Sequence, residues 1–175
     1  LGCPAMSNIQ RAILGAFLGI SAVIYFLLAF SMIVMNGTTS LPHSGYFMLR
    51  WPKLPIVGSY IAFDAPDVVA EEFRALSFVK RVAGVPGDIV TVEGSTVCVR
   101  DECRDLLPSL QARGYDPIAS GTIAEGQYVV FGDADNSLDS RYAIIGSVSH
   151  GQIQAVGGPI PIPHWKEIRT WLDRS

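Results

Sequence analysis

One apolar run near the N-terminus constrains the fold of this chain more than any other feature. No charged residue interrupts positions 12–35. A helix over that stretch would extend about 36 Å, enough to cross a hydrocarbon core of about 30 Å. The apolar core of a cleaved signal peptide spans only about 7–15 residues. The run therefore predicts a single, uncleaved transmembrane signal-anchor over residues 12–35, preceded by a short tail of residues 1–11.

The remainder of the chain predicts one β-rich domain over residues 36–163. A length of 175 residues suits one domain with a short appendage. Glycine and proline separate short segments rich in β-branched and aromatic residues, a pattern typical of strands. The predicted strands cover residues 59–63, 87–92, 96–99, 128–131 and 151–156. The net charge of −3 comes without a basic face, so we expect no nucleic-acid partner.

Two segments of this region predict helices instead of strands. Asp67 is placed to cap a helix over residues 67–79, and apolar side chains then recur at helical spacing. Residues 164–175 form an amphipathic tail whose two tryptophans suit a bilayer interface. That tail equally suits packing on the domain, and the sequence leaves both interpretations open.

The cysteines bear on which side of the membrane the domain faces. Arg11 flanks one end of the apolar run while Arg50 and Lys53 follow the other, so the positive charges do not decide the orientation. Cys98 and Cys103 lie five residues apart in a segment that alternates like a hairpin. A disulfide there would stabilise the domain by about 2 kcal/mol and would indicate an oxidising compartment, the periplasm or exterior. Two reduced thiols are the alternative.

Two polar segments carry residues suited to nucleophilic catalysis. Residues 36–42 follow the apolar run and contain Ser40, which taken alone is an ordinary loop serine. In residues 78–88, Lys80 lies between apolar stretches. Burial would lower its pKa, and a neutral amine can take the proton of a serine hydroxyl. The alternative for Lys80 is a side chain extended to solvent.

A third polar segment, residues 132–142, follows an apolar strand and is rich in turn-forming residues. Asp139 and Arg141 could pair and fix this loop, and Ser137 could hydrogen-bond a lysine amine. The acidic spacing superficially resembles a calcium site. It lacks the turn glycine and the final glutamate of an EF-hand loop, so we expect neither a metal nor another cofactor.

Together, and in this order, the three segments resemble those of the type I signal peptidase family. That family has a Ser followed closely by Pro after a membrane helix, then Lys-Arg-Val-x-Gly-x-Pro-Gly-Asp, then Gly-Asp and Asn-Ser-x-Asp-Ser-Arg. This chain has Ser-Leu-Pro at 40–42, Lys-Arg-Val-Ala-Gly-Val-Pro-Gly-Asp at 80–88, Gly-Asp at 132–133 and Asn-Ser-Leu-Asp-Ser-Arg at 136–141. The resemblance implies a mostly β, signal-peptidase-like antiparallel domain on a single N-terminal transmembrane helix.

The resemblance also implies a Ser–Lys dyad. Ser40 would be the nucleophile that forms an acyl-enzyme, and Lys80 the general base. The backbone N–H of Ser40 and the hydroxyl of Thr38 match the family's oxyanion donors. The chain would then be a serine endopeptidase acting on a membrane-tethered preprotein or prepilin at the surface of the lipid bilayer. Its expected location is the bacterial inner membrane, with the catalytic domain outside the cytoplasm.

Supporting roles follow from the same resemblance. Ser137 would position the Lys80 amine, and Asp139 and Arg141 would support the loop that carries Ser137. The three histidines fit no triad because no carboxylate can be argued to orient them. Only His43 lies near the serine in sequence.

Within the family, the first segment is most similar to the conjugative-transfer peptidases of the TraF type. Those carry Asn, Thr and Ser at alternate positions, then Leu-Pro and a Tyr, as Asn36, Thr38, Ser40 and Tyr46 do here. Two departures keep the general signal peptidases open. His-Ser-Gly at 43–45 displaces the usual glycine, and the third segment is closer to the general enzymes.

Two other classes of protein fit the sequence less well than a peptidase. A self-cleaving Ser–Lys protein like the SOS repressors is disfavoured by the membrane helix and the missing DNA-binding domain. A non-enzymatic, membrane-anchored β domain would leave the three segments unexplained.

Overall fold

A computed structural model describes residues 7–35, 41–43, 45–64, 66 and 77–161. The chain begins in this part with one long helix, α1 (Asn8–Phe30). Ser7 caps it: the Ser7 hydroxyl accepts from the Gln10 backbone N–H, and the Gln10 side chain accepts from the Ser7 N–H. None of its residues is buried, and its length and hydropathy suit a membrane span. The sequence predicted an apolar helix from residue 12, and the helix begins four residues earlier, at Asn8, within the predicted tail.

The helix ends earlier than the apolar run predicts. Residues 31–35 are strand β1 (Ser31–Met35), which pairs along its whole length with β2 (Gly45–Leu49). The prediction of a helix through residue 35 is therefore wrong for these five positions. Apolar composition alone does not separate a helix from a strand. Here the β2 backbone supplies the hydrogen-bond partners, and Met32 and Val34 pack against buried residues.

Eleven strands form two antiparallel sheets in the described part of the chain. The larger sheet has the order β1-β2-β11-β3-β4-β9-β10, and the smaller has β7-β6-β5-β8. The remaining strands are β3 (Tyr60–Asp64), β4 (Ser77–Gly84), β5 (Ile89–Glu93), β6 (Thr96–Val99), β7 (Glu102–Asp105), β8 (Gly121–Thr122), β9 (Gln127–Phe131), β10 (Val148–Ser149) and β11 (Ile153–Pro159). The mostly β, antiparallel fold expected from the sequence is confirmed.

The five predicted strands correspond to β3, β5, β6, β9 and β11, and the largest shift is in β11. Residues 150–152 form a 3₁₀ turn, so β11 begins at Ile153 and continues to Pro159. A short helix, α2 (Pro108–Gln111), follows β7.

The helix predicted over residues 67–79 lies mostly outside the described residues. Its last three positions are described, and there the prediction is wrong because residues 77–79 open β4. Each of them pairs with β3, from Asp64 opposite Ser77 to Ala62 opposite Val79. The long-range ladder overrides the helical spacing of the apolar residues. The predicted tail of residues 164–175 also lies outside the described part.

Three clusters of buried side chains hold the sheets together. One, which we call the anchor-side cluster, contains Tyr46, Met48, Tyr60, Ala62, Ala155 and Leu41. A second, the sheet cluster, contains Ile61, Phe63, Val82, Val130, Ile145, Val148, Ile153 and Val156. The third joins the small sheet to β9 through residues such as Val97, Val99, Val129 and Phe131. The β4 strand contributes to all three clusters, so it is central to the fold.

Candidate active site

Lys80 lies in the middle of β4 and is almost completely buried, with 4% of its surface exposed. It pairs across the ladder with Ile61. Because side chains alternate along a strand, Lys80 shares a face with Phe78 and Val82. Its Nζ lies 5.7 Å from the centroid of the Phe78 ring. The strand thus directs this lysine into the protein, and its side chain does not extend to solvent.

The Lys80 amine is hydrogen-bonded to the side chain of Ser137. Its Nζ donates to the Ser137 Oγ at 2.7 Å, and Ser137 is itself buried. Burial lowers the pKa of Lys80 from 10.5 to about 8, and Arg141 adds to that lowering. Asp139 and Asp133 oppose it by favouring the charged amine. An appreciable fraction of Lys80 is therefore neutral near neutral pH, as proton transfer requires.

A glycine makes room for the contact between Ser137 and Lys80. A Cβ at Gly132 would lie 2.0 Å from the Ser137 Oγ and 2.4 Å from its Cβ, far inside van der Waals contact. Residue 132 directly follows β9, so the end of that strand forms one wall of the Ser137 pocket.

Gly132→Ala is therefore expected to destabilise the domain by about 1–3 kcal/mol, because the added methyl group must displace Ser137. Denaturant unfolding monitored by circular dichroism measures this change. Gly158→Ala is the matched control, since a Cβ there meets nothing within 4 Å. Equal stability of the two variants would contradict the close approach at Gly132.

A buried ion pair fixes the loop that carries Ser137. The Arg141 Nε donates to the Asp139 Oδ1 at 2.9 Å, and both side chains are at most 1% exposed. Arg141 Nη2 also donates to the backbone carbonyl of Ser137 at 2.8 Å. The Gly132 backbone N–H donates to the Asp139 Oδ2 at 2.8 Å. The Asp139–Arg141 pair thus links the Ser137 backbone to Gly132, the glycine that lies against the Ser137 side chain.

A second polar network, which the sequence did not indicate, is centred on Arg81, the residue that directly follows Lys80. Arg81 donates from Nε to Asp133 Oδ1 at 3.0 Å and from Nη2 to Glu102 Oε1 at 2.6 Å. The Tyr60 hydroxyl donates to Asp133 Oδ2 at 3.0 Å. Burial and Asp133 raise the pKa of Tyr60 to about 12, so this hydroxyl stays protonated. Long-range contacts of this kind have no periodic signature in a sequence, although Arg81 and Asp133 both lie inside the motifs.

Cys98 and Cys103 form a disulfide that joins β6 to β7, where the two residues are directly opposite each other. Glu102 and Arg104 flank Cys103, and the Arg104 Nη2 donates to the Glu102 Oε1 at 2.9 Å. The cross-linked hairpin therefore carries the carboxylate that contacts Arg81.

Ser40 and Thr38 lie outside the described residues, but Leu41, the residue after Ser40, lies within them. Leu41 is buried in the anchor-side cluster, and Val79 packs against the same cluster. Leu41 follows Ser40 directly and Val79 precedes Lys80 directly. The chain positions next to the two expected catalytic residues thus share one cluster.

Two of the three histidines lie in the described part of the chain. The His43 ring is 6.4 Å from the Tyr46 ring, and His150 contacts the Tyr128 hydroxyl at 3.4 Å. Neither contact brings a carboxylate to an imidazole. His164 lies outside the described residues.

Residues 6–159 match the family model described as "Signal peptidase, peptidase S26". The chain therefore belongs to the signal peptidase family.

Individual proteins are also similar to the chain. A probable signal peptidase I-2 of Synechocystis sp. is 32% identical over 99 residues, which cover 55% of this chain and 43% of that protein. The chain thus matches less than half of the length of that relative. The crystal structure of a signal peptidase I from Enterococcus faecalis V583 is 26% identical and covers 59% of this chain and 97% of that one, with a TM-score of 0.37.

Proposed function

We propose that this chain is a membrane-anchored serine endopeptidase that cuts signal peptides with a Ser40–Lys80 dyad. The observation that carries the proposal is the Lys80 amine, buried and hydrogen-bonded to the Ser137 hydroxyl at 2.7 Å, with a pKa lowered to about 8. A solvated lysine would be charged at neutral pH and could not take a proton. A lysine kept partly neutral by burial is a competent general base.

The proposed reaction has two steps. Neutral Lys80 takes the proton of the Ser40 hydroxyl while Ser40 Oγ attacks the scissile carbonyl carbon. The N–H of Ser40 and the hydroxyl of Thr38 stabilise the tetrahedral oxyanion, and each such donor contributes about 2.7–4 kcal/mol. The intermediate collapses to an acyl-enzyme as Lys80 passes its proton to the leaving amine. Lys80 then takes a proton from water as the water oxygen attacks the ester carbonyl carbon, and it passes that proton to Ser40 Oγ as the ester bond breaks and the acid product leaves.

Two contacts of the described residues support this assignment. Ser137 accepts a hydrogen bond from the buried Lys80 amine and so orients that amine. Leu41 and Val79 lie against one cluster, so the residue that directly follows Ser40 lies beside the strand that carries Lys80. Asp139 and Arg141 act as positioning residues. They hold the loop that carries Ser137, and these hydrogen bonds do not involve the Ser137 Oγ that accepts from Lys80.

The pH dependence of cleavage follows from the pKa of Lys80. Since only the neutral amine accepts a proton, kcat/KM should rise about tenfold per pH unit below pH 8 and level off above it. Assays of a soluble peptide substrate between pH 6 and 10 measure this limb. Lys53→Met, which removes a lysine that donates to the Ile153 carbonyl, should leave the profile in place. A flat profile over this range would contradict a lysine base.

The surface next to α1 supports a location at the bilayer. Beyond α1, exposed large apolar side chains lie on β1, β2 and the following loop: Ile33, Met35, Phe47, Leu49, Trp51, Leu54, Ile56 and Val57. The loop has two cations: Arg50 is exposed, whereas Lys53 is turned inward and donates to the Ile153 carbonyl at 2.6 Å. An apolar surface of this extent beside a membrane-length helix suits the acyl region of lipid. The disulfide favours a domain that faces the periplasm or exterior.

Prepilins of conjugative transfer are the second candidate substrate. The alternate spacing of Asn36, Thr38 and Ser40 before Leu-Pro favours them. Both substrate classes place the cut bond near an apolar segment held in the same membrane. Tethering of substrate and enzyme to one bilayer raises their effective concentration.

Cleavage of a reconstituted preprotein tests the proposal. The full chain in liposomes should cut a membrane-tethered preprotein beside small residues, with the new N-terminus identified by mass spectrometry. Ser40→Ala should lower the rate by more than about 10³-fold. Ser44→Ala, which removes a serine four positions further along the chain, should leave it unchanged. Cleavage by Ser40→Ala at the wild-type rate would refute the proposal, and a prepilin offered in parallel identifies the preferred class.

A further inference from the structure

Strand β7 is the outer strand of the small sheet, and it contacts the strand that carries Lys80. Within the described residues, β7 pairs with β6 alone. Glu102, its first residue, accepts from the Arg81 Nη2 at 2.6 Å. Arg81 directly follows Lys80 on β4. A carboxylate of β7 therefore holds the chain position next to the proposed base.

The other end of β7 contacts the support of the loop that carries Ser137. The backbone carbonyl of Asp105, the last residue of β7, accepts from the Arg141 Nη1 at 2.8 Å. The Arg141 Nη2 donates to the Ser137 carbonyl at 2.8 Å. One short strand thus contacts the supports of both partners in the Lys80–Ser137 hydrogen bond.

Asp133 joins the same two elements more directly. It accepts from the Arg81 Nε at 3.0 Å. It also directly follows Gly132, the glycine that lies against the Ser137 side chain. The Arg81 guanidinium therefore has two acidic partners, one on β7 and one beside the loop.

Glu102 is a carboxylate at neutral pH. Burial raises its pKa, but the hydrogen bonds from Arg81 and Arg104 outweigh this effect and lower the pKa below its ordinary value. The Arg81 and Glu102 side chains are 21% and 27% exposed, so water screens their contact only in part. Hydrogen bonds between charged groups are shorter and stronger than those between neutral groups. The contact between β7 and β4 is therefore one of the stronger links in this part of the domain.

The disulfide fixes this outer strand to its neighbour. Strand β7 has four residues, and Cys103 is bonded to Cys98 directly opposite on β6. Cys103 directly follows Glu102 in the chain. The cross-link therefore limits how far Glu102 can move away from β6.

We propose that Glu102 is a positioning residue for catalysis, and that the cross-linked β6–β7 hairpin holds the Lys80 amine against Ser137. The inference rests on the proposed function, in which Lys80 is the general base. Through Arg81 and Arg141, β7 sets the separation between β4 and the loop. The rate of proton transfer depends on that separation, since a displacement of about 1 Å can cost about 10²-fold.

The direction of the change in pH dependence separates positioning from a direct effect of charge. Burial is the largest cause of the lowered pKa of Lys80; Arg141 adds to it, while Asp139 and Asp133 oppose it. Removal of the Glu102 charge alone would lower that pKa further, because one negative charge is lost. A displaced amine would instead regain contact with water, and its pKa would rise toward 10.5. Positioning therefore predicts a shift to higher pH.

Glu102→Gln tests the proposal, because it keeps the length of the side chain and removes its charge. The full chain in detergent is assayed on a soluble peptide with alanines beside the cut bond. We expect kcat to fall by about 10–100-fold while KM stays within about twofold of wild type. The midpoint of the alkaline limb should rise from about 8 by at least about half a pH unit. Glu93→Gln, the same substitution at an exposed position of β5, is the matched control and should change neither.

A second variant leaves every charge of the hairpin in place. Cys98→Ser combined with Cys103→Ser removes the cross-link, and circular dichroism checks that the domain is folded. This variant should also lower kcat and raise the midpoint. Unchanged kinetics in the double variant would overturn the part assigned to the cross-link.

Equal kcat values for Glu102→Gln and Glu93→Gln would overturn the positioning role. A fall in kcat with an unchanged or lower midpoint would overturn it as well. The proposed function fails by a different result, in which wild type does not cleave the peptide or Lys80→Met cleaves it at the wild-type rate.

Discussion

Lys80→Met is expected to lower kcat by about 10²–10⁴-fold, the usual contribution of a positioned general base. Methionine has a similar length and is apolar, so the buried site keeps its packing. The variant should also be more stable than wild type below pH 8, by on the order of 3 kcal/mol, because wild type must keep a charged amine buried there. That advantage should fade between pH 8 and 10.5, where the unfolded wild-type lysine binds a proton that the folded one has lost.

Two controls separate loss of the base from loss of structure. Lys80→Arg keeps a positive charge that does not deprotonate, so it should be as inactive as Lys80→Met. Lys53→Met should retain cleavage. Rates come from a soluble peptide, and stabilities from denaturant unfolding at several pH values. Full activity of Lys80→Met would refute the dyad and make His43 the next base to examine.

Arg141→Met is expected to destabilise the domain by about 3–5 kcal/mol, the cost of leaving one member of a buried ion pair uncompensated. Asp139 would remain buried with only backbone donors from Gly132 and from residue 141 itself. The Ser137 carbonyl would lose its guanidinium donor. The rate of cleavage should fall as well, and the alkaline limb of its pH profile should shift. Both effects are expected because the Ser137 hydroxyl that orients Lys80 would no longer be held.

An exposed pair provides the comparison. Arg100 lies 3.1 Å from Asp88, and its side chain is 48% exposed. Arg100→Gln should change the free energy of unfolding by less than about 1 kcal/mol, as for other surface pairs. Both variants are measured by denaturant unfolding of the full chain in detergent. A cost for Arg141→Met no larger than that for Arg100→Gln would show that the buried pair does not support the loop.

The sequence predicted those parts of the fold that have a local signature. Segments such as residues 96–99 carry β-branched side chains between turn residues, and strand β6 coincides with them. Helix α1 follows from its uncharged apolar run. Strand β1 was missed because its residues continue the same apolar run, and only pairing with β2 makes them a strand. The start of β4 was missed for a similar reason, since its partner β3 is distant in sequence.

The residues of the candidate site also fall into those that the sequence predicted and those that it did not. Lys80, Ser137, Asp139 and Arg141 lie in motifs whose order and spacing are specific, and the structure brings them together around one buried amine. The role of Glu102 could not be predicted, because it depends on how the β6–β7 hairpin folds back onto Arg81. Tyr60 likewise reaches Asp133 only through the sheet.

The chemistry and the placement of the site depend on the same strands. Strand β4 buries Lys80 and so lowers its pKa, while β1 connects the sheet to the apolar helix α1. The apolar side chains exposed on β1 and β2 continue the surface of α1. On this account, a peptidase of the signal peptidase family is held against the bilayer by its own sheet as well as by its anchor.

The most direct test of the central claim is active-site labelling with a peptidyl phosphonate, an electrophile that esterifies an activated serine. Activity should be lost in parallel with the formation of one adduct per chain, located by fragmentation on Ser40. Labelling should accelerate as pH rises through about 8 and should be at least about 100-fold slower in Lys80→Met. An adduct on any other residue, or labelling of Ser40 at the same rate in Lys80→Met, would contradict the Ser40–Lys80 dyad.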